Sequence, residues 1–118
     1  MKRYATAIAI ALTLLGQQGD ALAQSGGNTA PANYVMPGCR NWVNDADRGY
    51  FLQGLCAGMV RVIVFLGPHV GICRPTGVTG FQATKVILLC IDQRPERMHE
   101  QFEVLALEAL QQAWPCQR

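Results

Sequence analysis

Cys39, Cys56, Cys73, Cys90 and Cys116, together with His69 and His99, are the side chains of this 118-residue sequence with the types to do chemistry. A cysteine beside a histidine is a nucleophile pair only when the thiol is reduced and activated as a thiolate. Clustered cysteines and histidines can hold zinc, but neither a Cys-x-x-Cys nor a His-x-x-x-His spacing occurs here. Asp45 and Asp47 resemble a carboxylate pair, yet they precede an apolar helical run, where such residues cap. His99 falls in the opening turns of a predicted helix, a position that suits a solvated imidazole. The sequence therefore predicts no catalytic residue, no metal and no cofactor, and it points to a binding protein.

What the cysteines do instead depends on where the chain goes. Met1-Lys2-Arg3-Tyr4 is a positive start, Ala5 to Gly16 is apolar, and Ala21-Leu22-Ala23 offers small residues at a cleavage site. This is the plan of a secretory signal peptide, so residues 1–23 are set apart and the periplasm is the expected location. Residues 24–32 are rich in Gly, Ser, Asn and Pro and read as a disordered leader, leaving 33–118 as one domain. The chain from Gln24 onward keeps eight of the ten basic and seven of the eight acidic residues, a net charge near +1. No Lys/Arg stripe stands out, which excludes nucleic acid and, after signal cleavage, a membrane as expected partners. In an exported protein the five cysteines form a disulfide framework with one left over. The constant spacing of seventeen residues from Cys39 to Cys90 is not a repeat, because the flanks share nothing.

Four helical segments must position these residues. Asn33 to Val43 predicts one or two turns, interrupted at Pro37-Gly38. Asn44 to Asp47 supplies cap-type residues before a central helix from Arg48 to Leu66. Gly54 and Gly58 lie one turn apart within it and predict close approach of another backbone. Gly67 to Val78 is a loop. Thr79 and Gln82 form a capping box for a third helix to about Asp92, with Ala83, Val86, Ile87, Cys90 and Ile91 facing inward. Pro95 suits the first turn of a fourth helix, whose buried stripe is Phe102, Leu105, Ala106, Ala109, Leu110 and Ala113, and Pro115 stops it. No strand alternation is sustained. The fold class is all-α, a small disulfide-stapled bundle of about four helices. A hairpin of the last two helices favours a Cys73–Cys116 bond, and a folded-back N-terminal segment favours Cys39–Cys56, with Cys90 a buried free thiol. Sequence alone leaves that connectivity open.

Four stretches carry a family resemblance: Gly54-Leu55-Cys56-Ala57-Gly58; Cys73-Arg74-Pro75-Thr76-Gly77-Val78-Thr79 with Gln82; Arg94-Pro95-Glu96-Arg97-Met98-His99; and Ala109-Leu110 with Ala113-Trp114-Pro115-Cys116. In order and spacing the chain resembles the Rap/Tai family of type VI secretion amidase immunity proteins. Met59, Val62 and Cys90 stand where that family usually has an aromatic, often a glycine and an aromatic. The resemblance implies a helical periplasmic protein, often a homodimer, that binds and blocks a cell-wall amidase toxin through an interhelical loop. The equivalent here is Gly67 to Val78, whose His69, Val70, Ile72, Arg74 and Thr76 would enter the partner's cleft. The rival reading is a stand-alone periplasmic structural or chaperone-like protein of the same fold, which two histidines and seven carboxylates make a weak acid sensor.

Overall fold

A computed structural model describes residues 30–117; the predicted signal peptide and most of the leader lie outside that range. Four α-helices follow in order: α1 (Ala32–Val43), α2 (Tyr50–Leu66), α3 (Gly80–Asp92) and α4 (Phe102–Ala113). Two 3-10 turns, Gly67–Val70 and Pro95–Arg97, punctuate them. The fold is an all-α bundle, and no strand occurs among the described residues.

α1 is longer than Pro37-Gly38 suggests, running twelve residues with Pro37 inside it. A proline in a helix interior costs about 3 kcal/mol relative to alanine. Burial offsets this, because Ala32, Val35, Met36 and Cys39 form one fully enclosed face. The two N–H groups at its start, which no helical carbonyl can reach, are satisfied from outside: Ala32 and Asn33 donate to the carbonyls of Glu100 and Met98, both at 2.9 Å. Phe102 returns the contact by donating to the Ala30 carbonyl at 3.0 Å. Residues 30–32, which composition assigned to the leader, are therefore part of the fold.

The start of α2 also departs from expectation. Its cap is Gly49, in the left-handed region at φ 66°, with no side-chain capping bond. Asp45 is itself left-handed at φ 52°. The Gln53 side-chain amide instead braces the turn that precedes the helix, donating to the carbonyls of Ala46 and Arg48 at 2.7 Å each. At α3 the Thr79 half of the capping box forms: Thr79 Oγ1 accepts the Gln82 N–H at 3.2 Å. The inner face of α3 is rotated from expectation, with Thr84 and Leu88 buried while Val86 and Cys90 are half-buried. Thr84 satisfies its hydroxyl locally, donating to the Gly80 carbonyl at 2.8 Å. Pro95 opens a separate 3-10 turn rather than the fourth helix, which starts at Phe102 because residues 98–101 are spent on pairing with the start of α1. Its stripe is buried as expected except for Ala113, which is exposed.

Cys39 is bonded to Cys56 and Cys73 to Cys116, and Cys90 is free. The first pair staples α1 to α2. The second closes the open end of the α3–α4 pair, where Cys73 also donates its N–H to the Trp114 carbonyl at 2.8 Å. Phe102, Met36, Ile72, Ile87 and Leu110 are the largest side chains of the enclosed core. Arg40 and Asp92 tie α1 to α3 across the surface, with one of their two contacts at 2.9 Å.

The close approach predicted at Gly54 and Gly58 belongs elsewhere. A Cβ on either would meet nothing within 4 Å. A Cβ on Gly38 would lie 2.2 Å from the Leu52 carbonyl oxygen, so the tight crossing is between α1 and α2 at Gly38. Tyr50–Val70 is apolar enough to span a membrane by length and composition, with mean hydropathy 1.7. Within this fold Cys56, Val60 and Ile63 fasten its inner face into the core, while Phe51 and Phe65 on the outer face are 75% and 81% exposed.

Candidate partner-binding loop and groove

The segment from Gly67 to Val78 is more ordered than a connector. Pro68 sets up the 3-10 turn, and Gly71 leaves it in the left-handed region at φ 80°, where a glycine avoids strain. Ile72 then donates its N–H to the Gly67 carbonyl at 2.8 Å. Gly67 has little room for a side chain, since a Cβ would sit 3.0 Å from the Ile72 carbonyl oxygen. Further on, Arg74 Nη1 donates to the Val78 carbonyl at 2.5 Å, drawing the 75–77 turn closed. The side-chain amide of Gln111 on α4 donates to the Val70 carbonyl at 2.7 Å. Disulfide, side-chain clamps and core contacts thus fix the loop from three sides.

The five predicted contact residues divide accordingly. His69, Arg74 and Thr76 are exposed, and Val70 is half-buried. Ile72 is 1% exposed and belongs to the core, so it is not available to enter a partner. Its alternation with Val70 hid this, because an apolar loop residue can face either way until the core is assembled. Val78, also apolar, closes the segment as a buried anchor.

Among the described residues no group of three or more His, Cys, Asp or Glu is placed to hold a metal. The Cys90 thiol is half-buried and faces the Gln112 amide oxygen at 4.0 Å rather than a histidine. His99 precedes α4 and is exposed.

One surface escaped the sequence reading. An open groove of about 600 Å³ runs along α2 beside the loop, lined by Gly54, Gly58, Arg61, Arg74, Trp42 and Phe81 among others. The Trp42 and Phe81 rings form one wall, with centroids 4.7 Å apart and planes tilted by 32°. These residues come from α1, α2, the loop and α3. The only sequence signal was the pair of helical glycines.

Two of the arginines outside the groove have their charges answered within the fold. Arg97 donates to Glu100 and Glu108, through Nη1 and Nη2 at 2.6 to 3.1 Å and through Nε at 2.9 Å. These bonds hold both carboxyl groups below the usual glutamate range and raise the guanidinium further. The Arg40 hydrogen bond lowers Asp92 in the same way.

Comparison with known proteins gives one match, to the model of the Rap1a immunity proteins over residues 32–116. No curated protein and no solved structure matches. The matched span begins with α1, ends on the cysteine that closes the second staple, and contains both disulfides, the loop and the groove. The chain belongs to the Rap1a immunity protein family.

Proposed function

We propose that this protein is a periplasmic immunity protein that neutralises a peptidoglycan amidase delivered by a type VI secretion system, with the Gly67–Val78 loop entering the amidase cleft. Family membership supports the coarser statement, an immunity protein for a secreted effector, a class that is generally not enzymatic. The observation that carries the loop is its fixed shape: Cys73–Cys116, the buried Ile72 and the Gln111 bond hold its base while His69, Arg74 and Thr76 face outward. A preorganised loop loses little conformational entropy on docking, which favours tight inhibition. The reading also carries a homodimer, which the exposed Phe51, Val62 and Phe65 of α2 favour as surface to cover.

The test is inhibition of an amidase encoded beside this gene, using oxidised full-length protein. Changing His69, Val70 and Arg74 together to Ala should weaken inhibition by tenfold or more while circular dichroism stays that of the wild type. Full inhibition by the triple variant would move the interface off the loop. Absence of binding to any such amidase would remove the amidase assignment. Light scattering on the same samples reads the mass, and twice the monomer value is expected.

A further inference from the structure

Gly54 and Gly58 weaken the helix that carries them, and within one molecule nothing repays them, because no atom approaches their Cβ positions within 4 Å. Both open onto the groove whose far wall is Trp42 and Phe81. Arg61 and Arg74 also line it, and no carboxylate does. Two cations on a groove without a carboxylate decide the chemistry. Arg40 and Arg97 have their charges answered by Asp92, Glu100 and Glu108, whereas among the described residues Arg61 and Arg74, like Arg48 and Arg94 outside the groove, have no acidic partner. Arg74 spends one donor on the Val78 carbonyl and keeps the remainder of its guanidinium for something else.

We propose that this groove is a docking site for an acidic, extended segment of a protein partner, with one apolar or aromatic side chain seated against Trp42 and Phe81. The proposal rests on the reading that the chain binds a protein effector, and adds a second contact beside the loop with a stated charge. Glycine is what such a segment needs beneath it: without a Cβ, the helix surface lets another main chain lie close. A groove of about 600 Å³ is within the size range of ligand clefts and is open along its length, which suits a strand better than a compact small molecule. Two guanidinium groups on the rim complement carboxylates and add both specificity and association rate. A second copy of this chain is the poorer occupant, because two-fold pairing across the groove would set Arg61 and Arg74 against their own like charges.

The experiment selects dodecapeptides from a random phage-displayed library on oxidised full-length protein, then titrates the winners by calorimetry at low and high salt. Enrichment in Asp and Glu together with an aromatic or leucine is expected, with binding weakened by salt. Arg61→Glu and Gly58→Leu should each weaken it at least tenfold. Neither residue is in the loop, and the open space above Gly58 lets its variant fold, which circular dichroism and melting confirm. No acidic enrichment, or full binding by both variants, overturns the proposal. So does an unliganded dimer that Arg61→Glu converts to monomer, which would make the groove an interface between copies. A cognate effector neutralised equally by wild type, Arg61→Glu and Gly58→Leu would sink the groove and leave the immunity role standing. Groove-specific peptides without any effector that binds the protein would do the reverse.

Discussion

At the scale of single residues the glycines teach the most. Gly38 and Gly58 look alike in the sequence, each next to a cysteine or near one on a helix. Their surroundings are opposite: the first is buried against the Leu52 backbone, the second faces open space. Gly38→Ala should therefore lower stability by roughly 1–3 kcal/mol or more, since backbone cannot yield as a side chain can. Gly58→Ala should raise it by about 0.5–1 kcal/mol, the ordinary helix preference for alanine. Paired thermal melts on oxidised protein check both signs; a destabilised Gly58→Ala would mean that its neighbourhood is not open. The sequence showed that some glycine marks a crossing but not which. Helical spacing reports which residues share a face, and it does not report what the facing element brings there.

At the scale of elements, α2, α3 and the α4 stripe were legible because apolar period and a capping box are local signals. The junctions were not. Pro37 and Gly38 read as breakers, but the buried face of α1 outweighs their cost, and that burial depends on elements tens of residues away. Pro95 read as a helix start, but tertiary pairing of residues 98–101 delays α4. The Arg97 cluster holds this delayed start to the body of α4, joining Glu100 in the turn to Glu108 in the helix. Both carboxyl groups titrate lower folded than their ordinary 4.5 because Arg97 donates to the ionised form. Their contribution is thus fully present above pH 4.5 and is lost as pH falls through the folded values. Arg97→Met should flatten the fall in melting temperature on acidification below that point, most visibly at low salt because these groups are partly exposed to solvent. Identical acid profiles for variant and wild type would show that the cluster does not stabilise the fold.

At the scale of the whole molecule the hairpin of the last two helices favoured Cys73–Cys116 and a folded-back N-terminal segment favoured Cys39–Cys56, with the connectivity open until the fold was known, while the groove was not legible, because its walls come from four separate segments. The Cys73–Cys116 bond closes a loop of 43 residues and the Cys39–Cys56 bond one of 17. On the chain-entropy model, removing the longer closure costs about 4 kcal/mol and the shorter about 3 kcal/mol. Cys116→Ser should accordingly unfold at lower denaturant than Cys56→Ser, and should also release the loop, so inhibition falls with it. Equal midpoints would assign the difference to strain or to residual structure in the unfolded chain rather than to loop length.

The unpaired Cys90 has a consequence for how the molecule is made. In the reduced chain Cys73 has four candidate mates, and Cys56 and Cys90 each stand only 17 residues away against 43 for Cys116. Loop closure favours either nearer thiol by about 0.8 kcal/mol, roughly a fourfold advantage in encounter. The first bond formed at Cys73 is then mostly a wrong one, and it must be exchanged before Cys73 can join Cys116. An exported copy would depend on an isomerase at this step. Oxidative refolding of Cys90→Ser, which leaves Cys56 as the one near competitor, should reach the two-disulfide form faster than wild type with no exchange catalyst present. Equal rates, followed by quenching and mass mapping, would show that Cys90 does not compete for Cys73.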